Sequence, residues 1–184
     1  MAGELLAAQM TERSLAVHKI PVYKFRQADG TALPATEAAG GFNLDLDGGN
    51  IRLLQGEVAN GLPDSETSVG TWQFTLPPNY VAGGDIQVRL KCANIGAGTQ
   101  TSCTLTIKAY KSDGNGVVGS NLGPSDQTHS VKTTWYTKDF VITPTGLVAG
   151  DTLNIELTVV NIESASGNLV WTCDEVAMLL DIQG

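Results

Sequence analysis

DIQVRLKC, residues 85–92, alternates without error. Ile86, Val88, Leu90 and Cys92 fall in one phase, and Asp85, Gln87, Arg89 and Lys91 in the other. Successive side chains of a β-strand point to opposite faces, so this stretch predicts a strand with one buried and one wet face. SCTLTIKAYK (102–111) repeats the pattern with Cys103, Leu105, Ile107 and Ala109. Residues 152–160 repeat it with Leu153, Ile155, Leu157 and Val159, and residues 169–182 end in phase on Val176, Met178, Leu180 and Ile182. Outward from these, TWQFTL (71–76) places Trp72, Phe74 and Leu76 on one face before Pro77-Pro78 stops it. FNLDL (42–46) and the run 51–54 flank Asp47-Gly48-Gly49-Asn50, a hairpin signal. Residues 128–143 are long for one strand, and their period of two breaks near Trp135, which predicts a bulge or bend there. Residues 56–69 read as a polar loop, and 93–101 and 112–125 as glycine-rich tips. The sum is about eight strands between residues 42 and 182 with no helix among them. Strands of this kind bury their apolar faces by packing two antiparallel sheets together. The expected fold is therefore all-β, an antiparallel β-sandwich of jelly-roll-like type.

Residues 1–40 lack that periodicity. Glu4–Arg13 suits a short helix, IPVYKFR (20–26) an extended segment with Pro21 at an edge, and QADGTALPATEAAGG (27–41) a loop. They read as an N-terminal arm that reaches outward or lies along the domain, with residues 41–184 as the sandwich. On that reading, deletion of residues 1–26 leaves the sandwich folded. Leu5, Leu6, Ile20, Val22, Tyr23 and Phe25 are the arm residues with apolar area to bury against a partner.

At 184 residues the chain predicts one domain. Hydrophobic residues are 42 % and charged residues 16 %, enough apolar surface to drive folding. The net charge of −8 argues against nucleic acid or an anionic membrane as partner. No run of 18 apolar residues occurs, and MAGELLAAQMTERS has neither the basic start nor the apolar length of a signal peptide, so export is not expected. Cys92, Cys103 and Cys173 are an odd set without metal-ligand spacing. They are expected as small buried hydrophobes, with a Cys92–Cys103 bridge as the alternative if their strands form a hairpin.

No stretch carries a catalytic signature. His18 and His129 have no nucleophile nearby in a recognisable elbow. Asp45, Asp47 and Asn50 resemble the start of a calcium loop, but position twelve is Gly56, and a turn explains the same letters. Asp174 and Glu175 are adjacent and so expected on opposite faces, and Asp64 and Glu66 sit in a polar loop; nothing selects an acid–base pair. The expectation is no enzyme, no metal and no cofactor. The three tryptophans are expected in the core, and one of Trp135 and Tyr136 should point outward as a platform for a sugar ring.

The order of an aromatic strand ending in Leu-Pro (TWQFTLPPNYVAGGDIQVRLKC), then CTLTIKAYKSDGNG, then VITPTGLVAGDTLNIELTVV and a terminal VAMLLDI resembles small structural proteins of tailed bacteriophages, over residues 70–182. The resemblance implies a jelly-roll virion protein of the capsid decoration (cement) type. It further implies a homo-oligomer, commonly a trimer, that binds the major capsid protein on the head surface after assembly in the host cytoplasm. The alternative it leaves open is a tail-fibre or baseplate module that binds host glycans.

Overall fold

The computed structural model describes residues 13–35, 41–47, 51–56, 65–96, 99–112, 119–124, 127–129, 134–165 and 170–183. Eleven strands lie among them: β1 (Arg13–Ile20), β2 (Arg26–Gln27), β3 (Asn43–Asp47), β4 (Ile51–Gln55), β5 (Ser65–Thr75), β6 (Ile86–Ile95), β7 (Thr99–Ser112), β8 (Gln127–His129), β9 (Tyr136–Ile142), β10 (Thr152–Ala165) and β11 (Val170–Gln183). A single 3-10 turn, Val22–Lys24, joins β1 to β2. Sheet A has the order β3-β4-β11-β6-β9, with β1 also paired to β11; sheet B has the order β2-β5-β10-β7-β8. Every strand-to-strand ladder is antiparallel. The all-β antiparallel sandwich expected from the alternation is the fold.

The alternating residues form one core. Ile86, Val88, Leu90 and Cys92 from β6 face Cys103, Leu105, Ile107 and Ala109 from β7, with Leu153, Ile155, Leu157 and Val159 from β10, all buried. Burying each large side chain contributes roughly 1.5–3 kcal/mol, against the entropy of ordering the strands. The outer phase of sheet A carries the compensating charges. Arg89 grips Asp139 with two hydrogen bonds of 2.7 Å, and this donor pair holds the Asp139 carboxyl below its usual range.

Four parts of the chain depart from the expectation, each for a visible reason. The supposed loop 56–69 contains the first half of β5, which pairs with β10 from Ser65 onward. Its inward positions are Ser68 and Gly70 rather than large apolar residues. A Cβ on Gly70 would lie 2.6 Å from the Phe42 ring, so the phase is kept by the smallest residue. The stretch 128–143 is not one bent strand: β8 adds to sheet B and β9 to sheet A, so the break near Trp135 marks a change of sheet. The glycine-rich tip at 93–101 is narrower, because β6 runs to Ile95 and β7 starts at Thr99. A bulge between Cys173 and Glu175 shifts the inward phase of β11 from Trp171 and Cys173 to Val176 and Met178. Asp174 and Glu175 then both serve the outer side, bound to Lys91 at 2.8 Å and Lys19 at 2.7 Å, instead of pointing to opposite faces.

The described part of residues 1–40 takes the inward of its two possible courses. β1 pairs with β11 from Gln183 to Val176, and Arg26–Gln27 pair with Thr71–Gly70 of β5. Residues 13–27 therefore touch both sheets. Phe25 is fully buried, 4.6 Å from the Trp72 ring, so it is a core residue and offers no area to another molecule. Ile20 and Val22 are partly buried against the same core, and Tyr23 is exposed. Leu5 and Leu6 lie outside the described residues.

The cysteines are free and buried. β6 and β7 belong to different sheets and form no hairpin; Cys92 instead stands opposite Cys173 on β11 and Tyr136 on β9. Burial pushes all three thiols up, Cys103 to about 12. At pH 8 Cys103 is thiolate to about one part in ten thousand, and burial disfavours the thiolate of the other two as well. The folded protein should therefore show no fast thiol toward a disulfide reagent at that pH, and three after unfolding in urea. A stoichiometric fast thiol in the folded state would contradict this packing.

Candidate functional site

The outer face of sheet B is built as polar rows. In β5, β10 and β7 the apolar phase points into the core, so the opposite phase must point out. Register places Gln73, Asn154 and Tyr110 side by side in one row across the three strands. The next row is Thr71, Glu156 and Lys108, extended by Arg26 on β2. Neighbouring strands lie about 4.8 Å apart and same-face residues about 7 Å apart along each strand, so the two rows form a rigid grid of polar groups.

Within the grid, Gln73 Nε2 donates to Asn154 Oδ1 at 2.8 Å, and Lys108 Nζ pairs with Glu156 Oε1 at 2.8 Å. These contacts fix the side chains yet leave the Gln73 amide oxygen, the Asn154 amide nitrogen and one Glu156 oxygen for a ligand. The Arg26 guanidinium is pinned through Nη1, which donates to the carbonyls of Tyr23 at 3.1 Å and Phe25 at 3.0 Å.

A polar outer sheet face is ordinary in a sandwich. This one is distinguished by an overhang. The segment from the 3-10 turn to the Gly30 turn forms one side of an open cleft of about 600 Å³, lined by Lys24, Arg26, Gly30, Thr71, Trp72, Gln73, Tyr110, Asn154, Ile155 and Glu156. The turn needs a positive φ, +83° at Gly30, which glycine adopts without strain. Asp29 Oδ1 accepts from the Thr31 hydroxyl at 2.7 Å and the Thr31 amide at 2.9 Å, which locks the turn and holds the Asp29 carboxyl below its usual range. Trp72 in the cleft wall keeps a buried indole N–H that has no acceptor among the described residues. A buried donor left unmet costs about 1–3 kcal/mol.

The residues singled out from sequence lie elsewhere. Trp135 is 40 % exposed with Lys91 Nζ 5.8 Å from its ring centre, on the side of sheet A. Tyr136 is half-buried, with its ring directed to Cys92. Of that pair, Trp135 points outward, but it does not line the cleft. His18 packs edge-on against Phe74 at 5.8 Å. The side chains of His129, Asp45 and Asp47, together with Asn50 and Asp64, lie outside the described residues. Apart from Trp72 and Ile155, which belong to the apolar phase, the cleft residues are not singled out by a reading that follows that phase. Their signal was the opposite phase of the same strands, rich in amides and charges.

No protein-family model matches the chain, and no curated protein does. Solved structures align with it at low identity. The carbohydrate-binding module TmCBM27, described for specific mannan recognition, aligns over 92 % of this chain and 99 % of its own at 13 % identity and a TM-score of 0.45. The K1 cleaved adhesin domain of Lys-gingipain from Porphyromonas gingivalis W83 covers 90 % and 97 % at 15 % identity, TM-score 0.44. The enzymatically active domain of bacteriophage CBA120 tailspike protein 4 covers 93 % of this chain at 12 % identity, TM-score 0.41, and this chain covers only 20 % of that one. None of these three is a capsid decoration protein. Likeness at this level concerns the architecture alone.

Proposed function

We propose that this chain is an oligosaccharide-binding β-sandwich module that holds its ligand, without transforming it, in the cleft over sheet B. The observation that carries this is the grid: Gln73 locked to Asn154, Tyr110 beside them, and Glu156 with Thr71 one row away, under an overhang. Sugars offer hydroxyl groups that donate and accept at once, and planar amides and carboxylates answer both. The Tyr110 ring supplies a face for sugar C–H groups. A cleft of about 600 Å³ has the size of ordinary small-ligand sites. A binding role is supported over hydrolysis by the lining, where Glu156 is the one carboxylate among the described residues and is engaged by Lys108. This favours the glycan-binding alternative over capsid cement.

The test is a glycan array with the full chain, followed by titration of the best ligand against Gln73→Ala and Asn154→Ala. Gln73 is exposed and Asn154 half-buried on the wet sheet face, outside the core, so folding should be unchanged by circular dichroism. Each variant should weaken binding by about tenfold or more. An array blank for neutral and acidic glycans alike overturns the proposal.

One observation favours the structural reading as a second possibility. β1 pairs only with β11 among the described strands, and Leu15 (57 % exposed) and Val17 (53 %) stand on its outer side. An unpaired edge with apolar side chains invites another chain. On this reading the protein decorates a virion as a homotrimer, in contact with the major capsid protein. Sedimentation in the same buffer separates the two: a monomer that binds glycan supports the first, and a stable oligomer with a blank array supports the second.

A further inference from the structure

The charge of the cleft runs against that of the chain. The protein carries 11 basic and 19 acidic residues, a net charge of −8. Among the lysines and arginines whose side chains are described, Lys19, Arg89, Lys91, Lys108 and Lys111 each pair with a carboxylate. Lys24, Arg26 and Lys138 do not, and of these three Lys24 and Arg26 line the same cleft. Glu156 is paired with Lys108, and Asp29 on the Gly30 turn keeps its negative charge, hydrogen-bonded to the neutral Thr31. In a chain with an excess of acids, a cleft lined by Lys24 and Arg26, with its one lining carboxylate Glu156 paired to Lys108, is a local positive site even against the charge of Asp29.

Arg26 is also prepared for an anion. Its Nη1 is spent on the carbonyls of Tyr23 and Phe25, which fixes the guanidinium plane. Nε and Nη2 remain, the edge that grips a carboxylate or sulfate through two parallel hydrogen bonds. A side chain held in place before binding loses less entropy on binding. Lys24, two residues earlier on the same overhang, adds a flexible point charge.

We infer that the ligand is an acidic oligosaccharide, with a carboxylate or sulfate group held by Arg26 and Lys24 while its hydroxyls meet the Gln73–Asn154 row. This rests on the glycan-binding reading and narrows its substrate class. The experiment is affinity electrophoresis and calorimetry of the full chain against a polyuronate, a sulfated galactan and a neutral galactan, with polyacrylate as an anion that lacks sugar. The expected result is binding to the polyuronate or the sulfated galactan, whichever carries the matching anion, and binding at least about tenfold weaker to the neutral polymer. Arg26→Gln and, separately, Lys24→Glu should remove most of that preference, as should salt raised to about 0.5 M. Lys24→Glu alters an exposed side chain and keeps the test independent of any folding defect at Arg26. Equal binding of neutral and acidic polymers, unchanged in both variants, overturns the acidic assignment and leaves the glycan reading standing. Polyacrylate bound as tightly as the polyuronate also overturns it, as plain charge attraction. No polymer bound at all overturns the acidic assignment, and the glycan reading then stands or falls on the array.

Discussion

Phe25→Ala is expected to cost about 3–5 kcal/mol of folding stability, the range for emptying a buried aromatic site. Phe25 is fully buried, with its ring 4.6 Å from that of Trp72. The neighbouring Gln27 stitches the segment down: its amide donates to the Phe42 carbonyl at 2.8 Å, and its amide oxygen accepts from the Phe42 N–H at 3.2 Å. Domains of this size hold about 5–15 kcal/mol in total. At roughly 2–4 °C per kcal/mol, the melting temperature should fall by about 6–20 °C. Deletion of residues 1–26 removes Phe25 and also the eight-residue ladder of β1 on β11. That protein should lose its cooperative transition. A deletion variant that melts within about 2 °C of the full chain would show that residues 13–26 are an appendage after all.

Trp171→Ala should be comparably severe, about 3–5 kcal/mol in urea unfolding, while Trp135→Ala should stay within about 1 kcal/mol. Trp171 is fully buried, with its ring 5.8 Å from that of Phe42. Trp135 is partly exposed and meets only the Lys91 ammonium among the ring contacts described, a pairing of about 0.5–1 kcal/mol at a surface. Equal losses in the two variants would contradict the sheet change placed just before β9. Fluorescence offers an independent reading: the emission removed with Trp171 should be blue-shifted relative to that removed with Trp135.

These two tryptophans show where legibility ended. All three were expected in the core, and Trp72 and Trp171 are. Trp135 is not, because residues around it leave sheet B for sheet A, and alternation carries no information where the chain is in neither. Tyr136 regains an inward setting at the start of β9, which satisfies the expectation that one of the two points out. β11 holds a similar case. The phase change between Cys173 and Val176 is visible in the letters, yet only pairing with β6 shows it to be a bulge that sends Asp174 and Glu175 to the same side.

The amino-acid order by itself determined the architecture. An apolar side chain at every second position over strands such as 86–92, 103–109 and 153–159 has one stable outcome, burial of that phase between two sheets. The tertiary structure alone decided three things. It placed residues 13–27 within the sandwich, since a lone Phe25 has no period and its burial depends on the space beside Trp72. It aligned Gln73, Asn154 and Tyr110, which are far apart in the chain and meet only through strand register. It also brought Lys24 and Arg26 to the same cleft. Local patterning fixes which face of a strand is wet, but only the pairing of distant strands decides which wet residues share a site.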